Sequence, residues 1–167
     1  MANPTEEANP VIEEVTSHDV TSAVAVAGHP IHAMSVAFPI ALIMSTLGCD
    51  VFFWWTGDPF WARAALWASG FAFFFGLIAG ASGTAELLPV PGIRKRVASW
   101  THAVVAVMLL SIAGLNWGLR LDDHVAAVLP VGLFTSALAA LFVGLAGWHG
   151  GKLVFDHGIG LMISGKN

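Results

Sequence analysis

The sequence predicts an all-α membrane protein with four transmembrane helices in an up-down-up-down bundle. Three observations carry that expectation. Hydrophobic residues make up 56% of the 167 residues and charged residues only 11%, against about 25% charged in an ordinary soluble domain. Four apolar stretches follow one another, each near the ~20 residues that cross ~30 Å of hydrocarbon. The joints between them are short and hold chain breakers, which makes successive helices antiparallel neighbours.

Residues 1–27 read as an acidic, disordered cytoplasmic tail. Glu6, Glu7, Glu13, Glu14 and Asp19 lie in it, with no Lys or Arg and no long apolar core. A secretory leader needs a positive start before an apolar region, so this is not one. Residues 28–160 form the membrane domain, and 161–167 a C-terminal tail. The expected spans are 31–55, 63–88, 97–119 and 125–148. The joints are Thr56-Gly57-Asp58-Pro59, Pro89-Val90-Pro91-Gly92 and Asp122-Asp123-His124. A membrane β-barrel would instead show alternating segments of about 10 residues.

Tryptophans mark the two rims. Trp54, Trp55, Trp61 and Trp117 fall at one, Trp100 and Trp148 at the other. Trp100 and Trp117 share a helix and lie ~25 Å apart at ~1.5 Å per residue, the spacing of two interfacial belts. Charge sets the orientation. Arg94, Lys95, Arg96, Lys152 and Lys166 gather on one side, and only Arg63 and Arg120 on the other. The bias places both termini in the cytoplasm of a bacterial inner membrane.

Composition excludes several functions. Seven Lys plus Arg and a net charge of −4 do not make a nucleic-acid binder. Cys49 stands alone, so there is no disulfide framework. Neither a phosphate-binding loop, a Cys-x-x-Cys pair nor a Gly-x-Ser-x-Gly elbow is present. An electron-transfer or accessory subunit fits better than a stand-alone enzyme.

The histidines cluster. With alternating helix directions, His29, His32, His102, His149 and His157 return to one rim, and Glu86 ends the second helix there. His124 lies at the opposite rim. Ionisable side chains at membrane depth are costly and mark functional sites. His29 precedes Pro30 and also suits a plain interfacial place at the helix entry. His149 and His157 suit the interface too. Glu86 fits either a solvated helix end or a partner that fixes a His ring.

His32 and His102 are the sharpest pair. They stand at matched depth on the first and third helices, which are diagonal in such a bundle. Neighbouring helices 8–10 Å apart give a diagonal of roughly 11–14 Å. Two His side chains reaching to one metal at ~2 Å span about that. Haem iron takes axial ligands of this kind. Gly76, Gly80 and Gly83 on the second helix, and Gly144, Gly147, Gly150 and Gly151 on the fourth, offer room for a flat macrocycle. The same small residues also serve ordinary helix packing. Arg94, Lys95 and Arg96 stand where they could meet propionates.

Several runs resemble a known family. They are Gly28-His29-Pro30-Ile31-His32-Ala33-Met34, Phe38-Pro39-Ile40, and Thr56-Gly57-Asp58-Pro59-Phe60-Trp61-Ala62-Arg63-Ala64-Ala65. His102-Ala103, Leu115-Asn116-Trp117 and Gly147-Trp148-His149-Gly150-Gly151-Lys152-Leu153-Val154 belong with them. Together they resemble the domain of unknown function 2231 family of predicted bacterial membrane proteins, over about 28–160. The family has no settled activity. Relatives fused to cytochrome-like or iron–sulfur domains would imply redox work. Where relatives more often carry Asp near the end of the second helix, this chain has Glu86.

The first expectation is therefore a membrane subunit of a larger redox or energy-converting complex, passing electrons through haem b. His32 and His102 are the expected iron ligands, with His149, His29 and Glu86 as supporting or alternative cofactor contacts. Its partners would be the lipid bilayer, other membrane subunits or a second copy, and a quinone or cytochrome redox partner. Gly76-x-x-x-Gly80 with Phe73, Phe74 and Phe75 would form a lipid-facing contact surface. Two alternatives stand beside it: an accessory subunit without cofactor, and a non-haem metal or proton site made from His29, His32, Glu86, His102 and His149.

Overall fold

A computed structural model of the chain describes residues 22, 24–27 and 29–159. The acidic run and the C-terminal tail lie outside the described residues, as does His18. Four helical spans, Ile31–Thr56, Pro59–Leu87, Val97–Leu119 and Val128–Phe155, are long and apolar enough to cross a membrane. The protein is a four-span α-helical membrane protein, as its pattern predicts.

The chain enters through a small antiparallel pair, β1 (Ala25–Val26) against β2 (His29–Pro30). The Ile31 N–H donates to the Val24 carbonyl at 3.1 Å. Part of the segment assigned to the tail is thus tied to the body. The first span is α1 (Ile31–Ser35) and α2 (Ala37–Thr56), joined through Val36. It stops at Gly57, whose φ of 69° is left-handed, and the Gly57 N–H donates to the Phe53 carbonyl at 2.7 Å.

The second span, α3 (Pro59–Leu87), starts four residues before the expected 63. The Asp58 carboxylate accepts from the Phe60 N–H at 2.9 Å and Pro59 takes the first helical position, a start signal that hydropathy overlooks. A short turn, α4 (Pro91–Arg94), leads into α5 (Val97–Leu119). The fourth span begins late. Asp123 accepts from the Val125 and Ala126 N–H groups, both at 3.0 Å, and holds the chain in a turn. Leu129 is extended (φ −116°, ψ 131°), as the residue before a proline tends to be. The regular helix α6 then runs from Leu133 to Phe155, well past the expected end at 148.

Helices α2 and α3, α3 and α5, α5 and α6, and α6 and α2 are neighbours around a closed ring. This leaves α2 diagonal to α5, and α3 diagonal to α6. The interior is built from small side chains. Ala62, Ala65, Ala72, Ala113 and Ala139 are buried, while Trp67, Phe74, Val107 and Phe134 face outward. In lipid the apolar exterior costs nothing, and small residues let the helix backbones approach closely.

One expected surface turns partly inward, with Gly80 and Phe74 left exposed. A Cβ on Gly76 would come within 2.9 Å of Leu110 Cδ1, and one on Gly114 within 2.8 Å of the Phe73 ring. Phe73 stacks on Trp117 with centroids 5.9 Å apart. Gly76 and Phe73 therefore belong to the α3–α5 seam. Phe75 stacks on Phe38, and only Phe74 of the three aromatics is exposed.

Candidate functional site

The β1–β2 pair fixes where α1 begins, and His32 lies in its first turn. His32 Nδ1 is 2.9 Å from the Ala79 carbonyl oxygen on α3. A carbonyl only accepts, so Nδ1 carries the proton and donates. The lone pair of the neutral ring then sits on Nε2. Gly83, one turn further along α3, leaves space for this ring: a Cβ there would lie 2.8 Å from His32 Cε1.

His102 is half-buried in the second turn of α5. Its ring lies against Gly150 of α6, where a Cβ would stand 3.2 Å from His102 Cε1. Its Nδ1 is buried and makes no hydrogen bond of ordinary geometry among the described residues, and the Ala146 backbone of α6 lies beside the ring.

The two rings meet across the bundle, with centroids 6.3 Å apart and planes at 81°. Two metal–nitrogen bonds of about 2 Å, plus the ring radii on either side, come to roughly 6 Å. The pair thus has the spacing of two imidazoles on one metal.

The remaining expected residues are placed differently. His29 is exposed on β2, and its Nδ1 donates to the Ala27 carbonyl at 2.8 Å. His149 is half-buried inside α6, beside Gly150, rather than at a helix end. Glu86 is buried and accepts a hydrogen bond from the Ser22 hydroxyl, so it ties down the entering chain. The group that fixes a His ring is the Ala79 carbonyl. Among the described residues no three His, Cys, Asp or Glu side chains are grouped to hold a metal ion.

Two cations of this rim, Arg94 and Arg96, are engaged. Arg94 Nη1 donates to the Leu88 carbonyl at 3.1 Å, and Arg96 Nη1 donates to His157 Nδ1 at 3.2 Å. Of the expected small residues, only Gly83 and Gly150 touch the histidine pair. Gly144 and Gly147 have no heavy atom within 4 Å of a built Cβ.

The other end of the bundle holds a network that sequence reasoning missed. Arg120 is fully buried and grips fully buried Asp50. Nη1 donates to Oδ1 at 2.9 Å and Nη2 to Oδ2 at 2.7 Å. Arg120 Nε also donates to Asn116 Oδ1 at 3.1 Å, and Ser136 Oγ donates to Asp50 Oδ2 at 2.6 Å. Asn116 Nδ2 donates to Ser136 Oγ at 2.9 Å. Arg120 had counted as a free rim charge. Its signal was the i, i+4 spacing from Asn116 and a lone carboxylate inside an apolar run.

A family model described as a predicted membrane protein, DUF2231, matches residues 28–162. No curated protein and no solved structure matches the chain.

Proposed function

The chain belongs to the DUF2231 family of predicted membrane proteins, and from that premise we propose a haem-b-binding electron-transfer subunit of a larger bacterial redox or energy-converting complex. The observation that carries the reading is the 6.3 Å separation of the His32 and His102 rings on diagonal spans. It suits axial ligation of one iron. The Ala79 carbonyl fixes the orientation and tautomer of the His32 ring, as the outer partner of a ligand histidine does. Gly83 and Gly150 give the rings backbone rather than side-chain walls. The Nδ1 of His102 is buried without a well-formed hydrogen bond, and a ligand role would satisfy it. Bound haem would supply a one-electron redox centre within the membrane.

In this reading the histidine rim faces the cytoplasm of a bacterial inner membrane, with Arg94, Lys95, Arg96 and Lys152 on that side. Both termini lie there too. The electron partner is a quinone or a cytochrome, and further membrane subunits or a second copy complete the assembly.

A second reading is an accessory subunit in which the two rings only pack helix against helix. The engagement of Arg94 and Arg96 with Leu88 and His157 favours it, because two of the three cations expected to meet propionates already have partners. Haem assay of protein extracted from native membranes decides between them. Haem b in proportion to the chain supports the first, and its absence leaves the second.

A further inference from the structure

The centre of the bundle contains a small cavity of about 10 Å³, where Thr46 of α2, Ser69 of α3 and Asn116 of α5 meet the apolar Ile43, Ala72, Ala113 and Ala139. One water needs about 10–15 Å³ on this measure, together with two to four polar partners. All three polar side chains are at most 3% exposed.

Their hydrogen-bond capacity is unevenly used. Thr46 Oγ1 donates its hydrogen to the Leu42 carbonyl at 2.8 Å, and Ser69 Oγ donates its own to Leu66 at 3.0 Å. Each hydroxyl has lone pairs left and no hydrogen to give. Asn116 Nδ2 gives one hydrogen to Ser136 Oγ, and its second remains. The cavity thus offers one donor and two acceptors. A water molecule supplies the complement: one lone pair for the amide and two hydrogens for the hydroxyls.

We propose that this cavity binds a single structural water, which accepts from Asn116 Nδ2 and donates to Thr46 Oγ1 and Ser69 Oγ. The Asp50–Arg120 network by itself joins α2, the end of α5, and α6. The water carries it to Ser69 and so to α3, which the ion pair does not touch. All four spans are then linked by one hydrogen-bonded net. The site is independent of the histidine pair. Fourteen residues separate His32 from Thr46 and His102 from Asn116, about 21 Å along each helix at ~1.5 Å per residue.

Infrared spectra of the purified protein, exchanged between ordinary water and water enriched in oxygen-18, test the proposal. An isotope-sensitive O–H band from the bound water should appear in the wild type. Thr46→Val and Ser69→Ala should each shift or abolish it. Thr46→Ser, which keeps the acceptor, should retain it. Ser111→Ala should also leave it unchanged, because that hydroxyl is exposed and donates to the Val107 carbonyl. A band indifferent to both Thr46→Val and Ser69→Ala overturns the assignment, as does no band in the wild type. A density map fine enough to show waters gives an independent readout: a peak within hydrogen-bond reach of the three side chains supports it, and an empty cavity overturns it.

Discussion

Arg120 holds Asp50 with two parallel hydrogen bonds, 2.9 and 2.7 Å long, and neither side chain is exposed. The residues stand 70 apart in the chain, so the contact fastens the third span to the first. Removing one partner strands the other as a buried charge, at a cost of about 3–5 kcal/mol. Asp50→Ala and Arg120→Leu should each lower the thermal midpoint in detergent sharply. The double variant Asp50→Leu/Arg120→Met should cost less than either single change, because no charge remains to be desolvated. Singles that melt like the wild type would contradict a stabilising role for the pair.

The same pair shows where sequence reading succeeds and where it stops. The four spans are legible because the bilayer demands long apolar runs, and the chain supplies little else. The depth of His32 and His102 follows from span positions and alternating direction. Asp50 escaped notice because one carboxylate barely lowers the hydropathy of its run, and its partner is remote. Charge counting then took Arg120 for a free rim cation. The Ala79 carbonyl that orients His32 was not legible either, since a backbone acceptor has no residue-type signature. The late start of α6 had a local signal in Asp123 and Pro130, which the hydropathy boundary overrode.

Gly83 and Gly150 are expected to be intolerant where Gly147 is not. Gly83→Ala drives a methyl to 2.8 Å from His32, and Gly150→Ala to 3.2 Å from His102. Overpacking of this kind costs about 1–3 kcal/mol, and Gly83→Ala should be the worse. Gly147→Ala meets nothing within 4 Å and should melt with the wild type. Thermal melts of the three variants check this order. Equal melting of Gly83→Ala and Gly147→Ala would mean that the His32 ring is not held against α3.

Asp123 gives an acid-sensitive turn outside the spans. The N–H groups of Ala126 and Val125 hold its carboxyl below the usual value of 3.8. A depressed folded pKa contributes stability that is present above 3.8 and fades as pH falls through the lowered value. Asp123→Asn keeps an acceptor oxygen but cannot titrate. Its melting temperature should change less than that of the wild type as pH falls through this acid range. An identical acid profile in both proteins would remove Asp123 from the account.

The orientation is tested by reporters. A periplasm-active enzyme fused after Asn167 should be silent, and one inserted in the Thr56–Pro59 joint should be active. Activity at the C-terminus of an intact fusion would reverse the assignment of the histidine rim to the cytoplasm.

The most direct test of the haem proposal is the reduced-minus-oxidised absorption spectrum of extracted wild type beside His32→Ala, His102→Ala and His124→Ala. The account predicts a b-type signal in the wild type and in His124→Ala, since His124 lies at the other end. It predicts loss of most haem, or a changed spin state, in the other two variants. A signal unchanged in both His32→Ala and His102→Ala would contradict the ligand assignment, and no haem in wild-type protein from native membranes would contradict the cytochrome reading itself.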